Sequence, residues 1–372
     1  MINVLSVVPY QVLPAKFGGQ KGIALFNKYF AKQVNLVCVT TKKNDPAAAE
    51  GYEVLNILSD SSSRYINLFY FFKLRKIIRQ KQVSHLLIEH PYYGWLGIML
   101  KKFTGVKLIV HSHNIEGLRW KGLKKWWWKI LLSYEGITHR NADYNFFIQQ
   151  QDADYAIKQF HLKPAACLTV TYGTEISASP APAEKEKARK YLQQQHNIPA
   201  HHHILLFNGT FNYYPNLEAL QNIITGINPI LQQNPDFHYS IIICGRNIPE
   251  NISHGAYPNM IIAGLVDDIE IYFRGANIFL NPVINGGGIK TKLIEALANG
   301  TSAVSTHHGA IGIEPQLCNG KLVITANGDW KGFVQAVINM ADTVHAVTPA
   351  GFFEFFYWGN IVKRVKDFIE KK

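Results

Sequence analysis

The chain has 372 residues, carries a net charge of +12, and is 47% hydrophobic and 17% charged. That length suits two domains, and this composition excludes a disordered protein. The cysteines are scattered without a CxxC pair, so we expect neither a disulfide framework nor a zinc site built on them, and a reducing compartment fits. They are Cys38, Cys167, Cys244 and Cys318. The positive charge favours anionic ligands such as nucleotide phosphates, acidic lipids or nucleic acid.

The amino-terminal residues 2–8 form a short apolar run without a basic segment before it or a small-residue cleavage site after it. We therefore expect a first strand and not a signal peptide. No apolar run approaches the roughly 20 residues that cross a bilayer. These patterns predict a cytoplasmic protein.

Short apolar runs, mostly rich in β-branched or aromatic residues, alternate with helical segments through the first half. Such runs are typical of buried parallel strands. Repeated strand–helix units predict an open parallel sheet with helices on both faces. The runs lie at residues 2–8, 34–40, 54–58, 85–88, 107–111, 144–148 and 168–172, with helical segments such as 68–79 and 124–140.

A small, Pro-rich segment, SASPAPAE at residues 177–184, has no periodicity and indicates a linker. A charged helix at 184–195 precedes six further predicted strands, at 203–208, 239–244, 260–263, 278–281, 302–305 and 322–324. This is a second doubly wound domain, and the chain ends in an amphipathic helix at 352–372. We predict domains at 1–175 and 176–350, with a carboxyl-terminal segment at 351–372. Two such sheets facing each other would form a cleft, with ligands at the carboxyl ends of the strands.

The most informative stretch is NPVINGGGIKTKLIEALANG, residues 281–300. A strand is expected to end at Pro282 and a helix to begin near Ile289. Glycines at a helix start let backbone N–H groups approach an anion closely, and the helix dipole adds positive potential. The glycines between strand and helix are Gly286, Gly287 and Gly288.

Charged side chains on the same helix extend this anion site. Lys290 and Lys292 place cations beside it, and Glu295 lies three residues beyond Lys292 on one helical face. A carboxylate beside an anion site is explained if it binds hydroxyls, and the two hydroxyls of a ribose would satisfy its two oxygens. The pattern thus predicts a nucleotide-diphosphate site. The alternative is a glycine-rich loop before an ordinary surface helix, with Glu295 paired to a lysine.

This stretch resembles the donor-site motif of the retaining glycosyltransferase family 4, which has the GT-B fold. Residues 295–300, EALANG, match its second half, and a branch of the family has a GGG-K-EA form, which residues 286–296, GGGIKTKLIEA, resemble. The family's usual first glutamate would fall at Gly287. The resemblance implies two Rossmann-like domains facing across a cleft, transfer with retention of configuration, and no metal. It also implies that Glu295 binds the donor ribose, in agreement with the role inferred above.

The resemblance extends through the first half of the chain. Residues 15–22, AKFGGQKG, resemble the family's amino-terminal glycine loop, which implies that Gly18 and Gly19 meet the donor phosphates or the transferred sugar; a simple turn is the alternative. Residues 107–116, KLIVHSHNIE, resemble its HN-E segment, and His113 matches the histidine near the transferred sugar. His113 could bind a sugar hydroxyl or orient the acceptor. Asn114 and Glu116 would shape the acceptor side.

The two histidines of that segment are expected to face opposite ways or nearly so, and His111 to pack or bind the backbone. In the second half, residues 205–216, LLFNGTFNYYPN, resemble the family's first strand and loop there, which implies that Gly209 and Thr210 contact the diphosphate. The family's arginine–lysine pair is missing before Pro215. Arg246, together with Lys290 and Lys292, would supply its charge, unless Arg246 is a solvent-exposed turn residue.

Two further segments complete the resemblance. Residues 260–268, MIIAGLVDD, are similar to the family's nucleobase segment, which implies that main-chain groups around Leu265 bind the base edge. Asp267 is expected to cap the next helix. Tyr357, Trp358 and the following helix resemble the family's closing helix, which crosses back to the first domain.

Two other segments carry alternatives. The triple histidine at 201–203 enters a strand, where neighbouring side chains point to opposite faces, so we expect no metal site there. Residues 120–129, WKGLKKWWWK, would place aromatic and basic residues on one amphipathic helix, which suits an anionic membrane surface. The alternative is a helix that uses its tryptophans as core and its lysines as solvated cover.

These patterns predict a glycosyltransferase that moves a sugar from a nucleotide-diphosphate donor to a glycan or lipid-linked acceptor, in cell-surface polysaccharide or glycolipid synthesis. The catalytic candidates are His113 and Glu295, with no cofactor and no nucleic-acid partner. It would be cytoplasmic or peripheral on the inner membrane face. A sugar-nucleotide epimerase of the same fold, or a non-catalytic protein that binds a sugar nucleotide or an anionic glycan, remains an alternative.

Overall fold

A computed structural model describes residues 2–15, 18–252, 257, 259–341 and 347–371. The chain divides into two compact units. Unit 1 comprises Met1–Gly173 and Trp358–Lys372, and unit 2 comprises Thr174–Tyr357. Each unit is built around one parallel sheet with helices packed against it.

Unit 1 contains a seven-stranded parallel sheet in the order β3-β2-β1-β4-β5-β6-β7. The strand order reverses at β1, which pairs with both β2 and β4, and such a switch point leaves a crevice at the carboxyl ends of the strands. All seven predicted strands are confirmed. They are β1 (Asn3–Val7), β2 (Asn35–Thr41), β3 (Glu53–Leu58), β4 (His85–Glu89), β5 (Lys107–Ser112), β6 (Tyr144–Phe147) and β7 (Cys167–Thr169).

The helices of unit 1 pack on this sheet through side chains such as Leu74 and Leu100, which are fully buried against Leu86 and Leu108. Those before Gly173 are α1 (Gly18–Phe30), α2 (Phe69–Gln80), α3 (Gly94–Thr104), α4 (Glu116–Gly122), α5 (Trp128–Asn141) and α6 (Gln150–Gln159).

The single amphipathic helix predicted at 120–129, and the helix predicted at 124–140, are wrong in their bounds. The chain leaves α4 at Gly122 and begins α5 only at Trp128. Lys124 between them has φ +55, a left-handed conformation that a continuous helix does not contain. The tryptophans and lysines of this run are therefore divided between two helices and a turn.

Unit 2 contains a six-stranded parallel sheet in the order β10-β9-β8-β11-β12-β13. The six predicted strands are confirmed: β8 (His203–Thr210), β9 (Tyr239–Arg246), β10 (Met260–Gly264), β11 (Ile278–Asn281), β12 (Ser302–Thr306) and β13 (Leu322–Thr325). The helices are α7 (Pro182–His196), α8 (Tyr214–Asn222), α9 (Asn228–Leu231), α10 (Ile269–Gly275), α11 (Thr291–Ala298), α12 (Trp330–Ala341) and α13 (Ala350–Phe356).

The core of unit 2 joins strand residues such as Leu205, Ile241 and Val304 to helix residues such as Phe333 and Leu220, all fully buried. The helix predicted at 184–195 begins earlier, at Pro182. Proline suits the first turn of a helix, and the Glu184 carboxylate accepts a hydrogen bond from the Ala181 N–H at 2.9 Å. The last three residues of the predicted linker are therefore helical.

The carboxyl terminus contains two helices where the sequence predicts one. Tyr357 lies between α13 and α14 (Trp358–Glu370) with extended angles, φ −72 and ψ 128, because it forms a parallel bridge with Thr174. The helix α14 belongs to unit 1, where the Trp358 ring meets Phe26 of α1 edge to face at 6.5 Å. Among the described residues, no helix combines the length and apolar character needed to cross a membrane.

Candidate active site

Ionisable side chains converge at the carboxyl edge of the unit 1 sheet. Glu89 ends β4, His90 follows it, His111 lies on β5, and His113 comes directly after β5. Glu116 begins α4. The main chain delivers all five to one place because parallel neighbouring strands end at the same sheet edge.

The Glu89 carboxylate is buried and contacts both histidines of β5. Its oxygen Oε2 lies 2.7 Å from His113 Nε2 and 3.1 Å from His111 Nδ1, and the two imidazole rings are 4.6 Å apart. The prediction that these histidines face opposite ways is wrong. Residues two apart on a strand point to the same face, so His111 and His113 both reach Glu89.

Burial and neighbouring groups set the pKa values of Glu89 and His113. Burial alone would raise the pKa of Glu89, but the neighbouring His111 and the hydrogen bonds from His111 and His113 outweigh it and hold the pKa well below its ordinary value. Burial lowers the pKa of His113 to about 4, and the neighbouring His90 adds to the effect. His113 is thus a neutral imidazole at pH 7. When His113 Nε2–H donates its hydrogen bond to Glu89, the Nδ1 of His113 holds a lone pair that can accept a hydrogen bond from a hydroxyl.

A second histidine–carboxylate pair stacks on the first. His90 Nδ1 lies 3.1 Å from Glu116 Oε1, and Tyr92 donates its hydroxyl to Glu116 Oε2 at 2.6 Å. His90 Nε2 lies 2.9 Å from the Tyr10 hydroxyl, and its ring stacks on His113 at 4.5 Å. His90 has φ +67, a conformation that is costly for a residue other than glycine and that concentrates at functional sites.

Glu135 of α5 fixes the start of α4. Its carboxyl oxygens accept the N–H groups of Glu116 and Gly117, both at 3.0 Å. Burial raises the pKa of Glu135 to about 8, although these two backbone hydrogen bonds oppose the shift. A Cβ at Gly117 would lie 2.5 Å from Leu132, so only glycine lets α4 and α5 approach this closely.

The predicted amino-terminal glycine loop is described only in part. Gly18 begins α1, Gly19 is exposed, and a Cβ at Gly19 would meet no atom within 4 Å. Lys16 and Phe17 of that loop lie outside the described residues.

In unit 2, the glycine-rich loop connects β11 to α11. Gly286 and Gly288 have φ +94 and +72, which favour glycine, and Gly287 between them is exposed. The helix begins at Thr291, two residues after the start predicted near Ile289, which is half-buried. Lys290 has non-helical angles, φ −85 and ψ 89.

Lys290 stabilises the shape of this loop. Its ammonium donates hydrogen bonds to the carbonyls of Gly286 and Gly288, both at 2.9 Å, which explains why it stays outside the helix. His308, which follows β12, donates from Nε2 to the same Gly286 carbonyl at 2.6 Å. Burial lowers the pKa of Lys290 to about 8.

Lys292 connects α11 to the end of β8. Its ammonium donates to the Asn208 carbonyl at 2.7 Å and to Asn216 Oδ1 at 3.0 Å. A Cβ at Gly209 would lie 3.2 Å from this ammonium, so the glycine leaves room for it. Burial lowers the pKa of Lys292 to about 8, while the charge of Glu295, half-buried on the same helix, opposes that shift. Lys292 therefore carries positive charge at pH 7.

Known proteins resemble this chain in sequence and in fold. The family model described as Glycosyltransferase Family 4 matches residues 18–174, and the model described as Glycosyl transferases group 1 matches residues 202–343. The structure of sucrose-phosphate synthase from Thermosynechococcus elongatus is similar, with a TM-score of 0.70 at 15% identity over 100% of this chain and 99% of that one. The chain is a GT-B glycosyltransferase. HepE from Anabaena in complex with UDP has a TM-score of 0.72 at 11% identity, with both chains fully covered.

A sequence relative of this glycosyltransferase is the "Uncharacterized 44.6 kDa protein in cps region" of Klebsiella pneumoniae. The two are 27% identical over 161 residues, which is 41% of each protein. The matched part of the chain thus spans less than half the length of this relative.

The remaining predicted donor residues of the glycosyltransferase lie at the carboxyl ends of β8, β9 and β10. Thr210 pairs in register with Arg246, which is exposed. A Cβ at Gly245 would lie 1.7 Å from the Gly209 carbonyl oxygen, so these strand ends meet backbone to backbone. Leu265 follows β10 and is 65% exposed.

The predicted cap of the helix after β10 is wrong by one residue. Asp268, not Asp267, caps α10, because its Oδ1 accepts the Glu270 N–H at 2.9 Å. Both residue types fit an N-cap, and only the turn geometry decides between neighbours.

Sequence reasoning missed several residues of both sheet edges. Glu89 and His90 directly follow a predicted strand, as His308 follows another, so the search of loops after strands could have found them. Tyr10 and Asn216 also follow predicted strands, but their partners, His90 and Lys292, are distant in sequence, so the contacts themselves could not be predicted.

Proposed function

We propose that this glycosyltransferase binds a nucleotide-diphosphate sugar in unit 2 and transfers the sugar to an acceptor hydroxyl with retention of configuration. The observation that carries the proposal is the glycine loop, whose shape is maintained by the Lys290 ammonium and His308. A loop of this kind at the carboxyl edge of a parallel sheet is a suitable diphosphate site. The UDP complex of the structurally similar HepE supports a nucleotide donor.

The diphosphate would lie against the amides of the loop that precedes α11, at Gly287, Gly288 and Ile289. Each lysine ammonium has three N–H groups, of which two are bonded to protein oxygens in Lys290 and in Lys292. Their positive charge would stabilise the diphosphate as the sugar leaves. Charge stabilisation of this kind, from groups already in place, is commonly the largest contribution to catalysis.

Recognition of the nucleoside would use Glu295 and the end of β10. The Glu295 carboxylate would accept hydrogen bonds from the two ribose hydroxyls, in accordance with the family 4 motif. Leu265 exposes a large apolar side chain beside main-chain groups that would bind the base edge. Thr210 and the exposed Arg246 would complete the phosphate contacts.

Unit 1 would position the acceptor and the transferred sugar. The neutral His113, oriented by Glu89, would hydrogen-bond a sugar or acceptor hydroxyl, and Gly18 and Gly19 would provide close backbone approach. Retention is proposed from the family 4 resemblance. We expect the transfer to require no metal, so EDTA should leave the rate unchanged.

The acceptor is proposed to be a glycan or a lipid-linked sugar at the inner face of a membrane. Unit 1 exposes apolar side chains among lysines: Trp126 is 83% exposed, Phe69 73% and Phe72 64%.

Trp120, Trp127 and Trp128 are half-buried, so these tryptophans are not a closed core. Lys121 and Lys129 lie over the Trp128 ring at 4.9 and 5.7 Å. Aromatic and basic residues in this combination suit anionic lipid headgroups.

A thermal-shift screen tests the donor assignment. The melting temperature is measured with UDP-, GDP-, ADP- and TDP-sugars, and the cognate donor should raise it because it binds only the folded protein. The anomeric proton coupling of the product, measured by NMR, then tests retention. A screen in which no nucleotide sugar raises the melting temperature would count against the donor site.

Vesicle co-sedimentation tests the membrane contact. Wild type should bind vesicles with phosphatidylglycerol more strongly than neutral ones, and Trp126→Ser should reduce that binding. Tyr214→Ser, at an exposed aromatic residue of unit 2, is the matched control. Equal binding to both vesicle types would contradict the proposal.

A further inference from the structure

Three histidines lie together at the amino edge of the unit 2 sheet. His201 and His202 precede β8, and His238 precedes β9, the neighbouring strand. The His203 N–H donates to the His238 carbonyl at 2.8 Å, which aligns the two segments. The three rings meet because parallel neighbours begin at the same edge of a sheet.

The geometry of this cluster suits a metal ion. One ring nitrogen from each of His201, His202 and His238 lies within 4.8 Å of the others. The ring of His201 is centred 4.7 Å from that of His202 and 5.0 Å from that of His238. Tetrahedral zinc with Zn–N of about 2.0–2.1 Å needs nitrogens about 3.4 Å apart. Small side-chain rotations close that gap, since His201 and His238 are exposed.

The sequence predicts that strand alternation keeps the side chains of residues 201–203 apart. In the structure this applies only to His203. His203 is on the strand, and its ring stacks on Phe237 at 5.2 Å. His201 and His202 lie before the strand, in a turn where the His202 N–H bonds the Pro199 carbonyl. Strand alternation therefore does not separate them, and His238 supplies the third ligand.

We propose that His201, His202 and His238 bind a zinc ion, with water completing the coordination. Imidazole is a common zinc ligand, and three histidines leave the fourth position of a tetrahedral site open. The site lies at the edge of the sheet opposite the glycine loop. Zinc there would join the turn before β8 to the turn before β9 and stabilise unit 2, without taking part in sugar transfer.

The surroundings of His202 support this assignment. Its Nδ1 lies 3.0 Å from the hydroxyl of Ser240, a buried residue of β9. When Nδ1–H donates to that hydroxyl, Nε2 keeps the lone pair that a metal needs, as in the outer shell of many zinc sites.

Within the described part of the chain, a second group with metal-ligand spacing is Glu89, His111 and His113. In that group the carboxylate already contacts both rings, at 3.1 and 2.7 Å, so a metal would have to displace existing hydrogen bonds. The histidine cluster of unit 2 has no such internal carboxylate. The same experiment can distinguish the two groups.

Zinc binding to the tag-free protein at pH 7.5 tests the proposal, by titration calorimetry and by the melting temperature in zinc and in EDTA. Wild type should bind one zinc ion and melt higher in zinc. His238→Ala should weaken the affinity at least tenfold, since even outer-shell changes cost about 10–100-fold. His161→Asn, at an exposed histidine of unit 1 whose φ of +56 suits asparagine, is the control and should bind zinc as wild type does.

Three outcomes would overturn the assignment. One is the absence of zinc binding in wild type. The second is His238→Ala with wild-type affinity. The third is zinc binding that survives His238→Ala but is lost in Glu89→Gln, which would place the metal at the other group. A failed donor screen with intact zinc binding would count against the proposed function alone.

Discussion

His113 Nε2 lies 2.7 Å from the Oε2 oxygen of Glu89, a carboxylate without exposed surface. A buried carboxylate that accepts an imidazole N–H selects the tautomer and orientation of the ring. Glu89 is thus a positioning residue for His113, and it lies on the strand next to the one that leads to the histidine. The stacked pair of His90 and Glu116 limits the other face of the His113 ring.

Glu89→Gln tests this arrangement. The amide keeps one accepting oxygen but replaces the other with a nitrogen that only donates, so the side chain can no longer accept from both His111 and His113. The His113 ring should then lose its fixed tautomer. We expect kcat to fall about 100-fold, the size of effect that misplacement by about 1 Å produces, with little change in donor affinity. Glu53→Gln, which removes an exposed carboxylate paired with Lys81, is the control and should retain activity. Unchanged kcat in Glu89→Gln would show that His113 needs no such support.

Glu295→Gln tests the ribose contact. Charge-assisted hydrogen bonds are worth about 1.5–3 kcal/mol, so the dissociation constant for the cognate nucleoside diphosphate should rise about 10–100-fold in calorimetry. Wild type should discriminate against the 2′-deoxynucleotide, and the mutant should not. Glu270→Gln, at a surface residue paired with Arg274, is the control. Equal discrimination by wild type and mutant would remove the ribose assignment.

Donor affinity should depend on pH through the two lysines of α11 and its loop. The pKa of Lys290 and of Lys292 is about 8 because burial disfavours their charge. A diphosphate favours the charged form, so its affinity should be full at pH 7 and fall as pH rises through 8. Calorimetry at pH 7, 8 and 9 measures this change. Lys290→Arg stays charged and should reduce this pH dependence. A wild-type dissociation constant that does not change between pH 7 and 9 would contradict the prediction.

Gly245→Ala should strongly destabilise unit 2. The new Cβ would lie 1.7 Å from the Gly209 carbonyl oxygen, and φ is already +140. We expect a loss above about 3 kcal/mol in urea unfolding, with donor affinity lost where the protein still folds. Gly264→Ala separates backbone strain from steric clash. Gly264 has φ +68, but a Cβ there would meet no atom within 4 Å. It should cost about 1–2 kcal/mol, and equal losses in the two variants would exclude the backbone clash as the cause.

Much of this protein was determined locally by the sequence. The strands of both sheets could be predicted because buried parallel strands are short, apolar and rich in β-branched residues. The glycine loop could be predicted because Gly286 and Gly288 adopt φ values that few other residues accept. The error in helix bounds in residues 120–129 arose where one left-handed residue, Lys124, overrides a local pattern.

The tertiary structure alone decided which side chains meet. Glu89 and His113, like Lys292 and Asn208, are distant in sequence and become neighbours only through strand order and register. His238 joins His201 for the same reason. A local pattern specifies the conformation of a segment, but the contact between two segments depends on how every intervening element packs.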